Sequence, residues 1–140
     1  MAHSHRIAEL MTENQHSVTP NASVVEAAKI MRDDDVGLAP VVEGERLVGT
    51  VTDRDITIRV VAEERDPRST SVGEIASTDV VTVDPQQDLD EALRLMARHQ
   101  VRRLPVVQED GRLVGIVSQA DVARHGDDSQ TGQVVEQISQ

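Results

Sequence analysis

Two short stretches carry residue types suited to recognition chemistry: Thr52-Asp53-Arg54-Asp55 and Ser118-Gln119-Ala120-Asp121. In each, a hydroxyl and a carboxylate stand three residues apart, after an apolar run and ahead of a helical pattern. A hydroxyl at a helix N-cap accepts from the first free backbone N–H groups, and a carboxylate one turn on lies on the same side. That carboxylate can accept two hydrogen bonds from a vicinal diol such as a ribose offers, and a helix N-terminus favours nearby anions such as phosphate. The same spacing is also a capping box of purely structural value. Recurrence at matching positions, each time after Gly-x-Val, gives ligand binding its weight against that plainer reading.

Other candidates are weaker. His3 and His5 have spacing that could grip a divalent metal on an extended terminus, but a frayed end explains them better, and no metal site is assigned. Asp33-Asp34-Asp35 is a charge run at a helix end, usually solvated, with Mg²⁺ contact a minority reading. His99 and His125 stand alone, without a nucleophile or an acid-base partner nearby in sequence. No Walker loop, G-x-S-x-G or zincin motif occurs, so the chain reads as a non-enzyme with no catalytic residue and no cofactor. Met31 and Met96 fall on helix faces and read as core or dimer packing.

The elements that must position the two stretches are themselves duplicated. Laying residue 7 onward over residue 72 onward, an offset of 65, pairs Glu9 with Glu74, Val18 with Val83, Pro20 with Pro85, Met31 with Met96 and Pro40-Val41-Val42 with Pro105-Val106-Val107. One inserted residue near Glu109-Asp110-Gly111 shifts the offset to 66, after which Arg46-Leu47-Val48-Gly49 matches Arg112-Leu113-Val114-Gly115 and Asp55 matches Asp121. Each copy predicts a short strand (17–19; 82–84) and an amphipathic helix N-capped by Ser23 or Asp88. A hairpin (38–42 with 47–52; 104–107 with 113–118) and a second helix (53–62; 119–124) follow. The fold class is α/β (α+β), two β-α-β-β-α repeats at 7–62 and 72–124. Residues 63–71 form the connector, and 125–140 a polar tail in which Val134, Val135 and Ile138 have the spacing of a final helix. Neither copy of about 60 residues buries much alone, which predicts a shared core.

Composition removes whole classes of function. The chain has 140 residues, a formal net charge of -11, no cysteine and no Phe, Tyr or Trp. An acidic chain without aromatics lacks both the cationic footprint and the stacking platforms of nucleic-acid binding. No apolar run approaches the ~20 residues of a membrane span, so a cytoplasmic protein that binds neither nucleic acid nor membrane is expected. The missing cysteines rule out disulfides and thiolate zinc sites.

The segments L-V-G-T-V-T-D-R-D at 47–55, V-R-R-L-P-V-V at 101–107 and R-L-V-G-I-V-S-Q-A-D at 112–121 resemble cystathionine-β-synthase (CBS) domains. The tandem copy is similar to a CBS pair, or Bateman module, with pseudo-two-fold symmetry, in a stand-alone bacterial protein of the hypoxic-response type. The resemblance implies a regulatory module binding AMP, ADP, ATP or S-adenosylmethionine. Each cleft would take its hydroxyl and acid from one repeat and strand backbone from the other. The first cleft would join Thr52 and Asp55 to Val80, Val81, Val101, Arg102 and Arg103. The second and weaker would join Ser118 and Asp121 to Gln15, His16, Val36 and Gly37.

A guanidinium fork suits bidentate phosphate recognition, although Arg102 and Arg103 also read as a solvated strand edge. Arg54 is a further phosphate candidate, or a partner of nearby acids. Gly37-Leu38 replaces the arginine pair in the first repeat, so the resemblance implies inequivalent clefts. Without a ring to stack on, adenine would lie among Val80, Val81 and Val101. A homodimer and an unidentified protein effector are the partners the resemblance implies. The alternative is a ligand-free dimerisation or interaction module with an acidic surface.

Overall fold

The computed structural model describes residues 5–13 and 16–125. Its elements in chain order are α1 (Ile7–Leu10), α2 (Val24–Asp34), β1 (Leu38–Glu43), β2 (Arg46–Thr52), α3 (Asp53–Ile56), a π-helical segment (Thr57–Val61), α4 (Val72–Ile75), α5 (Leu89–His99), β3 (Arg103–Val107), β4 (Leu113–Ser118) and α6 (Gln119–His125). The final helix expected in the tail lies outside the described residues.

The long helix of each copy forms where its caps and apolar spacing require. The Ser23 hydroxyl accepts from the Glu26 N–H, and the Asp88 carboxylate from the Glu91 N–H, both at 3.2 Å. Val24, Ala27 and Met31 are buried on α2; Leu89, Ala92, Leu93 and Met96 are buried on α5. Ala28 is exposed, whereas its counterpart Leu93 is buried. Both helices end on a left-handed residue, Asp35 (φ 55) and Gln100 (φ 54). Val36 and Val101 then return their N–H groups to Met31 and Met96.

Two antiparallel hairpins follow as expected, Leu38 opposite Thr52 in one and Arg103 opposite Ser118 in the other. Each carries a register shift at the matching place, Val41/Val42 and Val106/Val107, so even the irregularity is duplicated. The short strands expected at 17–19 and 82–84 are reduced to single parallel bridges, Val18 to Val41 and Val83 to Val106. Pro20 and Pro85 follow two residues later and leave no donor with which to extend the ladder.

The compact units do not coincide with contiguous repeats. One comprises residues 16–80, and the other residues 5–13 with 81–125. Helix α1, which opens the first repeat, therefore packs in the unit of the second, where Ile7 and Leu10 join Leu89, Leu93 and Met96 in its core. Helix α4, which opens the second repeat, packs in the unit of the first, where Val72 and Ile75 join Val18, Val24 and Val51. Apolar side chains thus gather in two clusters, one inside each unit, and the expected sharing takes the form of exchanged helices.

The bonds that seat the exchanged segments are also paired. Thr12 and Ile116 exchange both backbone hydrogen bonds, as do Thr50 and Ser77. Glycine permits this approach: a Cβ at Gly49 would lie 2.7 Å from the Ser77 carbonyl oxygen, and one at Gly115 would lie 2.9 Å from that of Thr12. The Leu-Val-Gly signature is thus the place where the hairpin receives a segment from the other repeat.

Candidate functional site

Strand β2 hands over to α3 at Thr52, whose extended backbone lets its side chain turn back over the first helical residues. The Thr52 hydroxyl accepts from the Asp55 N–H at 3.1 Å, and Asp55 Oδ2 accepts from the Thr52 N–H at 2.9 Å. This reciprocal box fixes the carboxylate and uses one of its oxygens. The other, Oδ1, has Arg59 Nη1 at 3.9 Å, too far for a hydrogen bond. Arg59 instead donates from Nη1 to the Ile75 carbonyl at the end of α4, 2.7 Å away. The expected second helix of the first repeat begins as α3 and widens into the π-helical segment, where the Ala62 N–H reaches back to the Thr57 carbonyl.

The residue before β1 adjoins the same box. The Asp53 N–H donates to the Gly37 carbonyl at 3.0 Å, and the Asp53 carboxylate lies so close that a Cβ at Gly37 would stand 2.9 Å from Oδ2. Gly37 is therefore more than a missing arginine: the Asp53 carboxylate occupies the room that a side chain there would need.

The second box repeats the first. Ser118 Oγ accepts from the Asp121 N–H at 3.1 Å, and Asp121 Oδ2 accepts from the Ser118 N–H at 2.9 Å. The Gln119 N–H donates to the Arg102 carbonyl at 2.8 Å, as Asp53 does to Gly37. Here the last carboxylate oxygen is taken, because Arg124 Nη2 donates to Asp121 Oδ1 at 2.6 Å. The Asp121 side chain is 5% exposed, against 12% for Asp55.

The other expected residues divide between the units. Thr52, Asp55 and half-buried Val80 belong to the 16–80 unit. Val81, Val101, Arg102 and Arg103 belong to the other, where Val81 and Val101 pack against its core. Arg102 is exposed, and neither arginine pairs with a carboxylate among the described residues. Of the second set, Ser118 and Asp121 lie in the unit containing 81–125, whereas His16, Val36 and Gly37 lie in the 16–80 unit. Gln15 lies outside the described residues, as does His3.

His16 is exposed and its Nδ1 lies 2.7 Å from Asp34 Oδ2. That hydrogen bond and the Asp34 charge raise the imidazole pKa above its ordinary 6.5. The acidic run at the end of α2 is thereby explained: Asp34 faces His16, Asp33 is held below the usual carboxylate range by Arg32, and Asp35 is the left-handed cap. Met31 and Met96 are core residues.

Sequence reasoning passed over Arg59 and Arg124, the two cations that decide whether a carboxylate oxygen stays free. Their spacing from the acids, i+4 and i+3, was the available signal. Among the described residues no group of three or more His, Asp or Glu side chains could hold a metal, and no helix is long and apolar enough to cross a membrane.

Comparison with known proteins agrees with this duplicated architecture. A family model, CBS domain, matches residues 7–62 and 72–128. The CBS domain-containing protein YhcV of Bacillus subtilis is 44% identical over 117 residues, spanning 84% of this chain and 82% of its own length. Hypoxic response protein 1 of Mycobacterium tuberculosis is 41% identical over 118 residues, with the same coverage. A crystal structure of Hypoxic Response Protein I with two coordinated zinc ions superposes with a TM-score of 0.80 at 39% identity, covering 88% of this chain and all of that one. CBSX2, solved in complex with AMP, superposes with a TM-score of 0.75 at 29% identity, covering 86% of this chain and 94% of its own.

Proposed function

The chain belongs to the CBS-domain family as a tandem pair, and from that premise we propose that it is a regulatory module responding to an adenosine-containing ligand, with Asp55 as the ribose acceptor. The observation that carries this reading is the spare oxygen of Asp55. Its Oδ2 is held by the Thr52 N–H and orients the group, while Oδ1 accepts no hydrogen bond among the described residues, the Arg59 guanidinium standing 3.9 Å away. A fixed carboxylate with an open oxygen is pre-organised to accept from a diol, so little ordering cost falls on binding. Arg102, exposed and without a carboxylate partner among the described residues, supplies the phosphate fork in the same reading. The AMP found with CBSX2 supports the choice of ligand class.

In this reading the module performs no covalent step. A bound nucleotide acts through its different affinities for two arrangements of the module, and only that difference shifts their populations. Homodimerisation belongs to the same reading.

The test exploits composition. Because the chain has no Phe, Tyr or Trp, nucleotide that stays with it through gel filtration is read from base absorption over almost no protein background. Incubation with AMP is expected to leave a base spectrum on the protein peak, lost in Asp55→Asn and in Arg102→Ala. A peak without a base spectrum, and no heat on titration with AMP, ADP, ATP or S-adenosylmethionine, would overturn the reading.

A further inference from the structure

The two boxes share their backbone bonds, and one side-chain contact that distinguishes them, that of Arg124 with Asp121, has a consequence for the second. We propose that Arg124 is a latch that keeps Asp121 from accepting a ligand hydroxyl, so that the Ser118–Asp121 start stays closed while the Thr52–Asp55 start is open. The inference deepens the ribose-acceptor reading of Asp55 and rests on it.

Asp121 has two carboxylate oxygens and both are engaged, Oδ2 by the Ser118 N–H at 2.9 Å and Oδ1 by Arg124 at 2.6 Å. A diol arriving at Oδ1 must displace or share a charge-assisted hydrogen bond, among the stronger kinds available to a side chain. The carboxylate is 5% exposed, whereas the Arg124 side chain that covers it is 65% exposed. The arrangement is therefore a cover and not a strut: the box that fixes Asp121 lies on its far oxygen and remains when the arginine is removed.

Asp55 escapes the same fate through the exchanged helix. Arg59 follows it by four residues, on the π-helical segment, and its guanidinium is drawn to the Ile75 carbonyl on α4. It is left 3.9 Å from Oδ1. One carboxylate is thus kept open by a tether on its neighbouring cation, and the other is covered by a cation with no such tether among the described residues.

The experiment is calorimetric titration of the full chain with AMP, in wild type, Arg124→Ala, Arg124→Ala/Asp121→Asn and Asp55→Asn. Wild type is expected to take about one AMP per chain, lost in Asp55→Asn. Arg124→Ala is expected to gain a second equivalent, tightened roughly 10- to 100-fold by release of the competing hydrogen bond, and the double variant to lose it again. Failure of Arg124→Ala to gain an Asp121-dependent equivalent overturns the latch. Asp55-dependent binding in wild type reports separately on the ribose-acceptor reading, so the failure of one is distinguishable from the failure of the other.

Discussion

The start of α3 and the start of α6 are built from the same parts in the same order, yet their carboxylates are left in different states. Thr52 and Ser118 cap their helices alike, and Asp55 and Asp121 answer with matching bonds at 2.9 Å. What differs is where the next arginine goes. The Arg59 guanidinium turns to a carbonyl and spares the acid, whereas that of Arg124 turns to the acid and consumes it. Duplication preserves the scaffold, because backbone bonds and caps tolerate little change. Divergence is cheapest on the exposed face of the following helix, where one substitution alters chemistry without touching the fold. The second difference, Asp53 against Gly37, follows the same logic: Gln119 and Arg102 keep the backbone bond but not the close carboxylate.

Substitution of the two acids is expected to separate the two helix starts most strongly. Asp55→Ala removes acceptors for charge-assisted hydrogen bonds of about 1.5–3 kcal/mol each, so AMP affinity measured by equilibrium dialysis is expected to fall roughly 10- to 100-fold or more. The same change at Asp121 is expected to leave that affinity within about twofold and to cost stability instead, about 1–3 kcal/mol in urea unfolding, because a buried acceptor of two donors is lost. Next in size, Gly49→Ala and Gly115→Ala press a methyl group onto a backbone carbonyl and are expected to cost about 1–3 kcal/mol, read as a lowered melting temperature. Similar losses at both positions would show that the exchanged segments are held equally. Smaller again, Thr52→Ala and Ser118→Ala each remove one N-cap, for about 0.5–2 kcal/mol.

The smallest expected effects are electrostatic and belong to the 16–80 unit. Glu74 is held down to about 2, first by the Ser71 N–H and then by Arg65 and the Ser71 hydroxyl, against an ordinary 4.5. A depressed carboxylate stabilises the fold fully above its unfolded pKa and loses that contribution as pH falls. Glu74→Gln is therefore expected to flatten the stability profile between pH 4.5 and about 2, followed by circular dichroism. His16 has the opposite sign. Its raised pKa makes the Asp34 contact stabilising below pH 6.5 and lost as pH rises through the folded value, so His16→Asn is expected to remove a small decline as pH rises above 6.5.

The hairpins, helix caps and reciprocal boxes were legible because each depends on local sequence, and the repeat because its two copies carry matching residues in the same order. Ser23 and Asp88 cap by accepting from backbone N–H groups only three residues on, at Glu26 and Glu91. The exchange of α1 and α4 was not legible, since Ile7 and Val72 occupy equivalent repeat positions and fit either unit by the same pattern. Gly49 and Gly115 were visible as a motif, but their reason, a carbonyl arriving from the other repeat, required the partner segment. The fates of Arg59 and Arg124 were hidden for a related cause. Spacing places both near an acid, and only a π-helical turn and the carbonyl of an exchanged helix tell which one lets go.

In the proposed reading the open carboxylate of Asp55 receives the ligand and the latched one of Asp121 does not. Amide resonances of the isotope-labelled full chain, followed through a titration with AMP, test it residue by residue. Saturable shifts are predicted for Thr52 and Asp55, with Ser118 and Asp121 unmoved until Arg124 is replaced by alanine. Shifts of both pairs along the same binding curve in the wild-type chain, or of neither, would contradict it.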